Sequence, residues 1–469
     1  MMIESNNDKR RKLLAFCEGT DYGMSANDDR LLADIPKEYC KKEKNDQFHF
    51  SSCGFMVLND TPVIIFPKNF TLAPNDTYES IIESGKTLFK TFVRYRSRKR
   101  NTTGWKERYA ADSLDKLENN AVTNIDDILY ILEDFKRNGY MVRRHDVVSQ
   151  SRPGRVVWSK TMHRTMPIIS HGQVMYPSPY MKSHIRFDEE MVQKIHRYLV
   201  AKFRQQWGWL MDLETVNSEP VAPCTDDEAR KYLTTELRSC FVQREIDLIR
   251  HMLRYYMEKC GKDTNPRSEF MLTTEFEQIW EDVCGAVFGN VRDDYADKIV
   301  PQAKFTPAQG INATGKTWHQ TPDILCRNDN HFYVLDAKYY PLKPEDAPSD
   351  DDQAVTKIRK FPGWADMVKQ FVYFYTIRKN VENHISQELV GYKVMRNLLL
   401  FPGSFPQLNQ TSEKHATYVG DVSLPGIDFG NIELWWLDVR YMLNVYVGNI
   451  KQYVSNIESF FQIDENVTN

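Results

Sequence analysis

Two short phrases in this chain, Pro322-Asp323 and Asp336-Ala337-Lys338, carry side chains of the kind that hydrolyse phosphodiesters. The residues between them read as a hairpin. Ile324-Leu325-Cys326-Arg327 runs up, Asn328-Asp329-Asn330 is a polar turn, and His331-Phe332-Tyr333-Val334-Leu335 runs back. With Asp329-Asn330 as a two-residue turn, Asp323 falls opposite Asp336, and opposed residues bring their Cβ atoms to about 4.5–5.5 Å. Two carboxylates at that spacing can share one hard divalent cation, Mg2+ or in its place Mn2+, and leave its other positions to water and a substrate phosphate. Alternation along the strand puts Lys338 on the same face as Asp336. Its ammonium can orient the attacking water or neutralise charge that builds on phosphorus. A bare Asp-x-Lys is more often a pair of surface charges at a strand exit. Here the Pro-Asp, the apolar run and the Asp-Ala-Lys coincide, and the chemical reading is the better one.

Such a hairpin needs helices to hold it. Before it, Glu275 to Phe288 reads as a helix with Phe276, Ile279, Trp280, Val283, Val287 and Phe288 on one face and Glu277 and Glu281 together on its flank. After it, Pro341 to Ala354 reads as an acidic loop. A helix from Gly363 to Arg378 then turns Trp364, Met367, Val368, Phe371, Val372 and Tyr375 inward and presents Lys369, Gln370 and Tyr373. Strand-like runs at Lys393 to Leu400 and Glu433 to Val439, with a last helix from Tyr441 to Phe461, complete the segment.

A competing signal lies close by. Gly310-Ile311-Asn312-Ala313-Thr314-Gly315-Lys316-Thr317 satisfies the P-loop pattern. A working P-loop needs an apolar strand leading in and a helix leading out. Neither flank here has that character, so 303–320 reads as a flexible polar loop and no nucleotide-binding residue is assigned.

Upstream, residues 1–45 carry mixed charge and read as a loosely structured lead-in, apart from Leu13-Leu14-Ala15-Phe16. A hairpin follows between Phe48 and Phe66, then a helix from Tyr78 to Arg94. That helix ends in Arg94-Tyr95-Arg96-Ser97-Arg98-Lys99-Arg100, the most basic run in the chain. Arg94, Arg96, Arg98, Lys99 and Arg100 are candidate DNA-phosphate contacts, and the same charges equally complement a helix C-terminus. Another helix spans Ile125 to Lys136. Arg143-Arg144-His145 and Ser151 to Arg155 read as basic turns, and His163 and His171 have no ligand-type neighbours at metal spacing. Helices are expected at Glu189–Leu210 and, as one long element, at Asp227–Lys259, with Phe241 packed.

With 469 residues, 41% hydrophobic and 27% charged, the chain suits two to four globular domains. No apolar run is long enough to span a bilayer, and the opening residues are charged where a signal peptide is apolar. Eight cysteines without C-x-x-C spacing point to a cytoplasmic, reducing setting and away from a zinc site. The net charge of −3 weighs against DNA binding by bulk electrostatics, so any grip on DNA uses local basic patches or a partner.

Pro322-Asp323 and Asp336-Ala337-Lys338 resemble the motif of the PD-(D/E)xK nuclease superfamily. The phrases Phe276-Glu277-Gln278-Ile279-Trp280-Glu281, Leu335 to Tyr340 and Pro362 to Tyr373 look like those of LlaJI-type restriction endonuclease subunits, relatives of the McrC nuclease. The likeness covers roughly 140–400. It implies an α/β PD-(D/E)xK core at 265–469, a mixed sheet flanked by helices, after an N-terminal α+β accessory region at 1–140 and a helical linking region at 141–264. It implies Asp323, Asp336 and Glu281 as Mg2+ ligands, with Glu277 in reserve, and Lys338 beside the attacking water. Gln370, with Lys369 and Tyr373, would support the metal site or the DNA backbone. It also implies double-stranded DNA as substrate, a McrB-like AAA+ GTPase partner in a phage-defence system, and dimerisation for cutting both strands. The rival readings are a self-contained restriction endonuclease, a nucleotide-binding regulator built on Gly315-Lys316-Thr317, and a nuclease fold retained for binding.

Overall fold

The computed structural model describes residues 2–4, 12–23, 35, 37, 39–43, 47–58, 61–72, 76–101, 125–150, 153–187, 190–214, 219–259, 269–306, 317–319, 321–340, 342–347, 355–359, 361–383, 390–403, 415–448 and 456–463. The fold is mixed α/β, with helices and both parallel and antiparallel strand pairs. It divides into two compact units, one of Met1–Asn119 with Ser268–Asn469 and one of Asn120–Arg267.

The first correction concerns the expected lead-in. Leu13-Leu14-Ala15-Phe16 is the heart of a strand, β2 (Lys12–Cys17), which pairs antiparallel with β1 (Met2–Glu4). Leu13 and Ala15 are buried, as strand alternation requires. β3 (Cys53–Leu58) and β4 (Thr61–Phe66) form the expected hairpin, and β2 runs parallel to β4. Every residue of β3 is buried. Four apolar residues in a row looked like too little periodicity for an element, yet their burial alternates, Leu13 and Ala15 covered and Leu14 and Phe16 half-buried. The helix α1 (Tyr78–Asn101) covers this sheet, setting Phe89 and Phe92 edge-on to Phe55 at 6.2 and 6.0 Å.

In the 120–267 unit, α2 (Ile125–Asn138) precedes β5 (Arg143–Ser149), so Arg143-Arg144-His145 lies in a strand and not in a turn. β5 pairs antiparallel with β6 (Met181–Phe187), and α3 (Met191–Trp207) follows. The single helix expected over Asp227–Lys259 is two, α4 (Asp226–Ser239) and α5 (Gln243–Lys259). Cys240 takes an extended backbone (φ −88°, ψ 135°) and Phe241 is 92% exposed instead of packed. Two shorter helices pack on each other and bury Leu233, Leu248, Ile249 and Met252, which one straight helix could not do.

The chain then returns to the first sheet. β7 (Glu269–Thr273) pairs antiparallel with β3, giving the order β1-β2-β4-β3-β7. Gly54 permits the pairing: its φ is +143°, and a Cβ there would lie 2.0 Å from the Met271 carbonyl oxygen. The N-terminal strands and the start of the 265–469 segment therefore share one sheet. From β7 the chain enters α6 (Phe276–Val287) and α7 (Arg292–Ile299).

A second sheet carries the hairpin of the sequence motif. β8 (Ile324–Asn328) and β9 (His331–Ala337) are antiparallel, β9 and β10 (Lys393–Pro402) parallel, and the order with β11 (Ala416–Val422) and β12 (Ile432–Leu437) is β8-β9-β10-β12-β11. Between β9 and β10 runs α8 (Trp364–Glu382). Its buried face is Met367, Gln370, Phe371, Tyr373, Phe374, Ile377 and Val381, so Gln370 and Tyr373 point inward while Trp364 is 67% exposed. Phe371 to Tyr375 are apolar or aromatic without a break, which blurs the helical period. Two further elements differ from expectation. Lys343–Ala347 in the acidic stretch is a strand paired with Val355–Arg359, and the last helix is α9 (Val439–Val447) plus a separate turn at Ile457–Phe460. Among the described residues no helix is long and apolar enough to cross a membrane.

Candidate active site

The hairpin register is the expected one. Ile324 pairs with Leu335 and Asn328 with His331, so one step beyond the last pair Asp323 faces Asp336. Asp329, at the turn, has φ +49°, a left-handed conformation that Asp tolerates. The mouth of β8 is fastened from the turn after α6. Asn290 Nδ2 donates to the Asp323 carbonyl at 3.2 Å while its Oδ1 accepts from the Leu325 amide at 3.1 Å. Arg292 Nη1 donates to the same Asp323 carbonyl at 3.2 Å. On the other strand, Asp336 lies beside Leu399 of β10, and the Lys338 amide donates to Leu400 O at 2.9 Å.

Three charges converge on this floor. Asp336 is 2% exposed, and Lys338 Nζ lies 2.7 Å from its Oδ2. Asp323 is hydrogen-bonded to Asp336, and its carboxyl is pushed well above the usual range by burial first and then by Asp336 and Glu281. Burial works against the Lys338 charge, but Asp336, Asp323 and Asp366 outweigh it and hold the ammonium above its ordinary value. The pair therefore keeps a proton, which a divalent cation can displace and so leave both carboxylates free to bind it. That donor set suits a hard divalent cation, which Asp323 and Asp336 would hold from two strands. Among the described residues no group of three or more His, Cys, Asp or Glu is placed to enclose an ion unaided.

The remaining sequence candidates are placed as follows. Glu281 lies on the exposed side of α6, and its charge bears on Asp323, whereas that of Glu277 bears on Glu18. Gln370 is buried and donates to Asn397 Oδ1 at 2.6 Å, and Asn397 pairs in β10 with Val334 of β9, two residues before Asp336. Lys369 is exposed, with Nζ 5.4 Å from the centre of the Tyr373 ring, and Tyr373 itself is buried. Arg94 donates to the Tyr446 and Gly448 carbonyls, and Arg98 pairs with Asp282 at 3.4 Å. Arg96 is half-buried on the same helix, and the side chains of Lys99 and Arg100 lie outside the described residues. So do residues 310–316 of the P-loop-like phrase, whose Thr317 begins a strand, Thr317–His319.

Sequence reasoning passed over three groups that frame the site. Tyr340 donates to Asp366 Oδ2 at 3.0 Å, and Asp366 Oδ1 stands 3.7 Å from Lys338 Nζ. The alternation Asp336, Lys338, Tyr340 was a usable signal for the first of these. Tyr339, next to Lys338, donates to buried Glu18 at 2.8 Å and accepts from the Lys68 amide at 2.8 Å, which ties the strand exit to the first sheet. No local pattern announces that contact.

A curated relative, the type II restriction enzyme BsuMI component YdjA of Bacillus subtilis (strain 168), is 24% identical over 326 residues, or 66% of this chain. The match spans 63% of that relative's length. A solved half-complex from the tetradecameric assembly of Thermococcus gammatolerans McrB AAA+ hexamers with bound McrC aligns over 93% of this chain and 98% of the matched one, at 11% identity and a TM-score of 0.35. At that score the likeness is too slight to carry an argument. The description of the LlaJI restriction endonuclease family matches residues 52–439, most of the sequence and all of the site, and the chain belongs to that family.

Proposed function

We propose that this chain is a Mg2+-dependent DNA endonuclease with a PD-(D/E)xK core, the cleavage subunit of a restriction system that defends against phage. The observation that carries the reading is the contact of Asp323 with Asp336 across the hairpin, with Lys338 Nζ 2.7 Å from Asp336. The mixed sheet β8-β9-β10-β12-β11, with α8 in the β9–β10 connection, supports the core assignment. When bound, a divalent cation supplies positive charge to the substrate phosphate and acidifies a water. Asp323 and Asp336 would hold it, and Glu281, whose charge bears on Asp323 from the flank of α6, would be the further carboxylate. Lys338 orients the attacking water or balances the charge that grows on phosphorus. Buried Gln370 and Asn397 keep α8 and β10 in register behind Asp336.

Double-stranded DNA is the substrate in this reading, in the cytoplasm, and two copies act together to cut both strands. The family name supports nuclease chemistry, and the word component in the Bacillus relative's name supports a second subunit. By the resemblance of the site phrases that subunit is a McrB-like GTPase, which supplies the grip on DNA that a chain of net charge −3 lacks. Plasmid cleavage with Mg2+, with and without GTP and the partner, tests the proposal. Cutting by wild type and none by Asp336→Ala is expected. Equal cutting by the variant overturns the site, and cutting by the chain alone at one sequence favours a self-contained enzyme.

A further inference from the structure

Asp336 has two roles to fill in the proposed nuclease. Its oxygens are to hold a cation, yet one of them already accepts from Lys338 Nζ at 2.7 Å. Two cations on one carboxylate repel each other, so the ammonium needs a second place to rest. An ammonium has three donors and can use two acceptors at once. The second acceptor is present: Asp366 Oδ1 stands 3.7 Å from Lys338 Nζ.

Asp366 is itself held for this purpose. It lies three residues after the N-cap Gly363 of α8, where the helix N-terminus favours a carboxylate. An acidic residue in a first turn usually serves its own helix and faces water. Here one oxygen faces Lys338 and the other accepts from Tyr340 at 3.0 Å, both on the strand exit. Lys338 is 15% exposed and Asp366 30%, so the pair is partly sheltered from water.

We infer that Asp366 is a positioning residue that, with Tyr340, keeps the Lys338 ammonium beside the carboxylate pair when Asp336 turns to a cation. The inference rests on the nuclease reading, and equal labelling counts against it only where Mg2+ is shown to bind, by a change in the wild-type urea midpoint that Asp336→Ala abolishes. Wild type, Asp366→Asn, Asp366→Glu and Tyr340→Phe are given a brief pulse of acetic anhydride in Mg2+ or in EDTA, and Lys338 acetylation is read by peptide mass spectrometry. Lys338 stays protected in wild type under both conditions. In Asp366→Asn it is protected in EDTA and labelled roughly tenfold faster in Mg2+, while Asp366→Glu behaves as wild type. Single-turnover cleavage by Asp366→Asn falls about 10–100-fold with KM for DNA unchanged. Tyr340→Phe moves both readouts the same way by about threefold, and carries the test if the Asp366 variants do not fold. Equal labelling of Lys338 in wild type and Asp366→Asn with Mg2+, or a change confined to KM, overturns the inference. Protection of Lys338 by Asp366 in a protein that never cuts upholds the inference and removes the nuclease reading instead.

Discussion

Asp134, in the 120–267 unit, and Asp336, in the hairpin, are buried to a similar degree, at 7% and 2% exposure, and are treated in opposite ways. Arg244 meets Asp134 with two hydrogen bonds of 2.8 Å each, and Asn138 adds a third at 2.9 Å. Burial opposes the Asp134 charge, but those bonds outweigh it and hold the carboxyl below its usual range. Asp336 has the Lys338 ammonium at 2.7 Å and a second carboxyl, Asp323, which burial first and then Asp336 itself push well above the usual range. Asp134 is matched by its own cation and keeps its charge; the hairpin pair keeps a proton instead. A carboxyl shifted that far by burial and a second carboxylate is found more often at functional sites than in structural ion pairs.

The largest expected effect breaks the unmatched pair. Asp336→Ala should lower cleavage about 10³-fold, read by single-turnover assay, while the urea midpoint moves little, since Asp323 and Asp366 still act on the Lys338 ammonium. A fall in stability with activity retained would show that the pair is structural.

The next tests sharpen the matched side. His196 is buried near Asp134, accepts from the Met141 amide at 3.1 Å, and is depressed to about 4, chiefly by burial and against the pull of Asp134. A depressed histidine stabilises the fold fully above its unfolded value of about 6.5 and loses that contribution as pH falls toward 4. The loss should reach about 3 kcal/mol in urea titrations of the wild type and shrink in His196→Gln. Arg244→Ala strands a buried carboxylate and should cost about 2 kcal/mol, less than a fully buried pair because Arg244 is 40% exposed. Smallest is the contrast of two glutamates on α6. Glu281→Gln should slow cleavage about tenfold and Glu277→Gln leave it within about twofold, since Glu281 alone of the two acts on Asp323.

The hairpin was legible because its information is local: a two-residue turn fixes the register, and the register places Asp323, Asp336 and Lys338. The helix holding Glu281 was legible for the same reason, since one face of it is strictly periodic. What sequence did not reveal depends on partners far along the chain. Strand β2 looked formless until β4 lay beside it, and the face of α8 was misjudged because five apolar or aromatic residues in a row offer no preferred side. Asp366 escaped notice because an acid in a first turn is ordinary, and its use appears only when the exit of β9 comes within reach.

Strand β3 has consequences for how the protein is made. It is buried along its whole length, and its outer edge is closed by β7, which begins only at Glu269. During synthesis the first strands must therefore wait, with an apolar edge open, until the entire 120–267 unit has left the ribosome. A ribosome stalled before that point would present a sticky half-sheet without the hairpin of Asp323 and Asp336, which follows β7 in the chain.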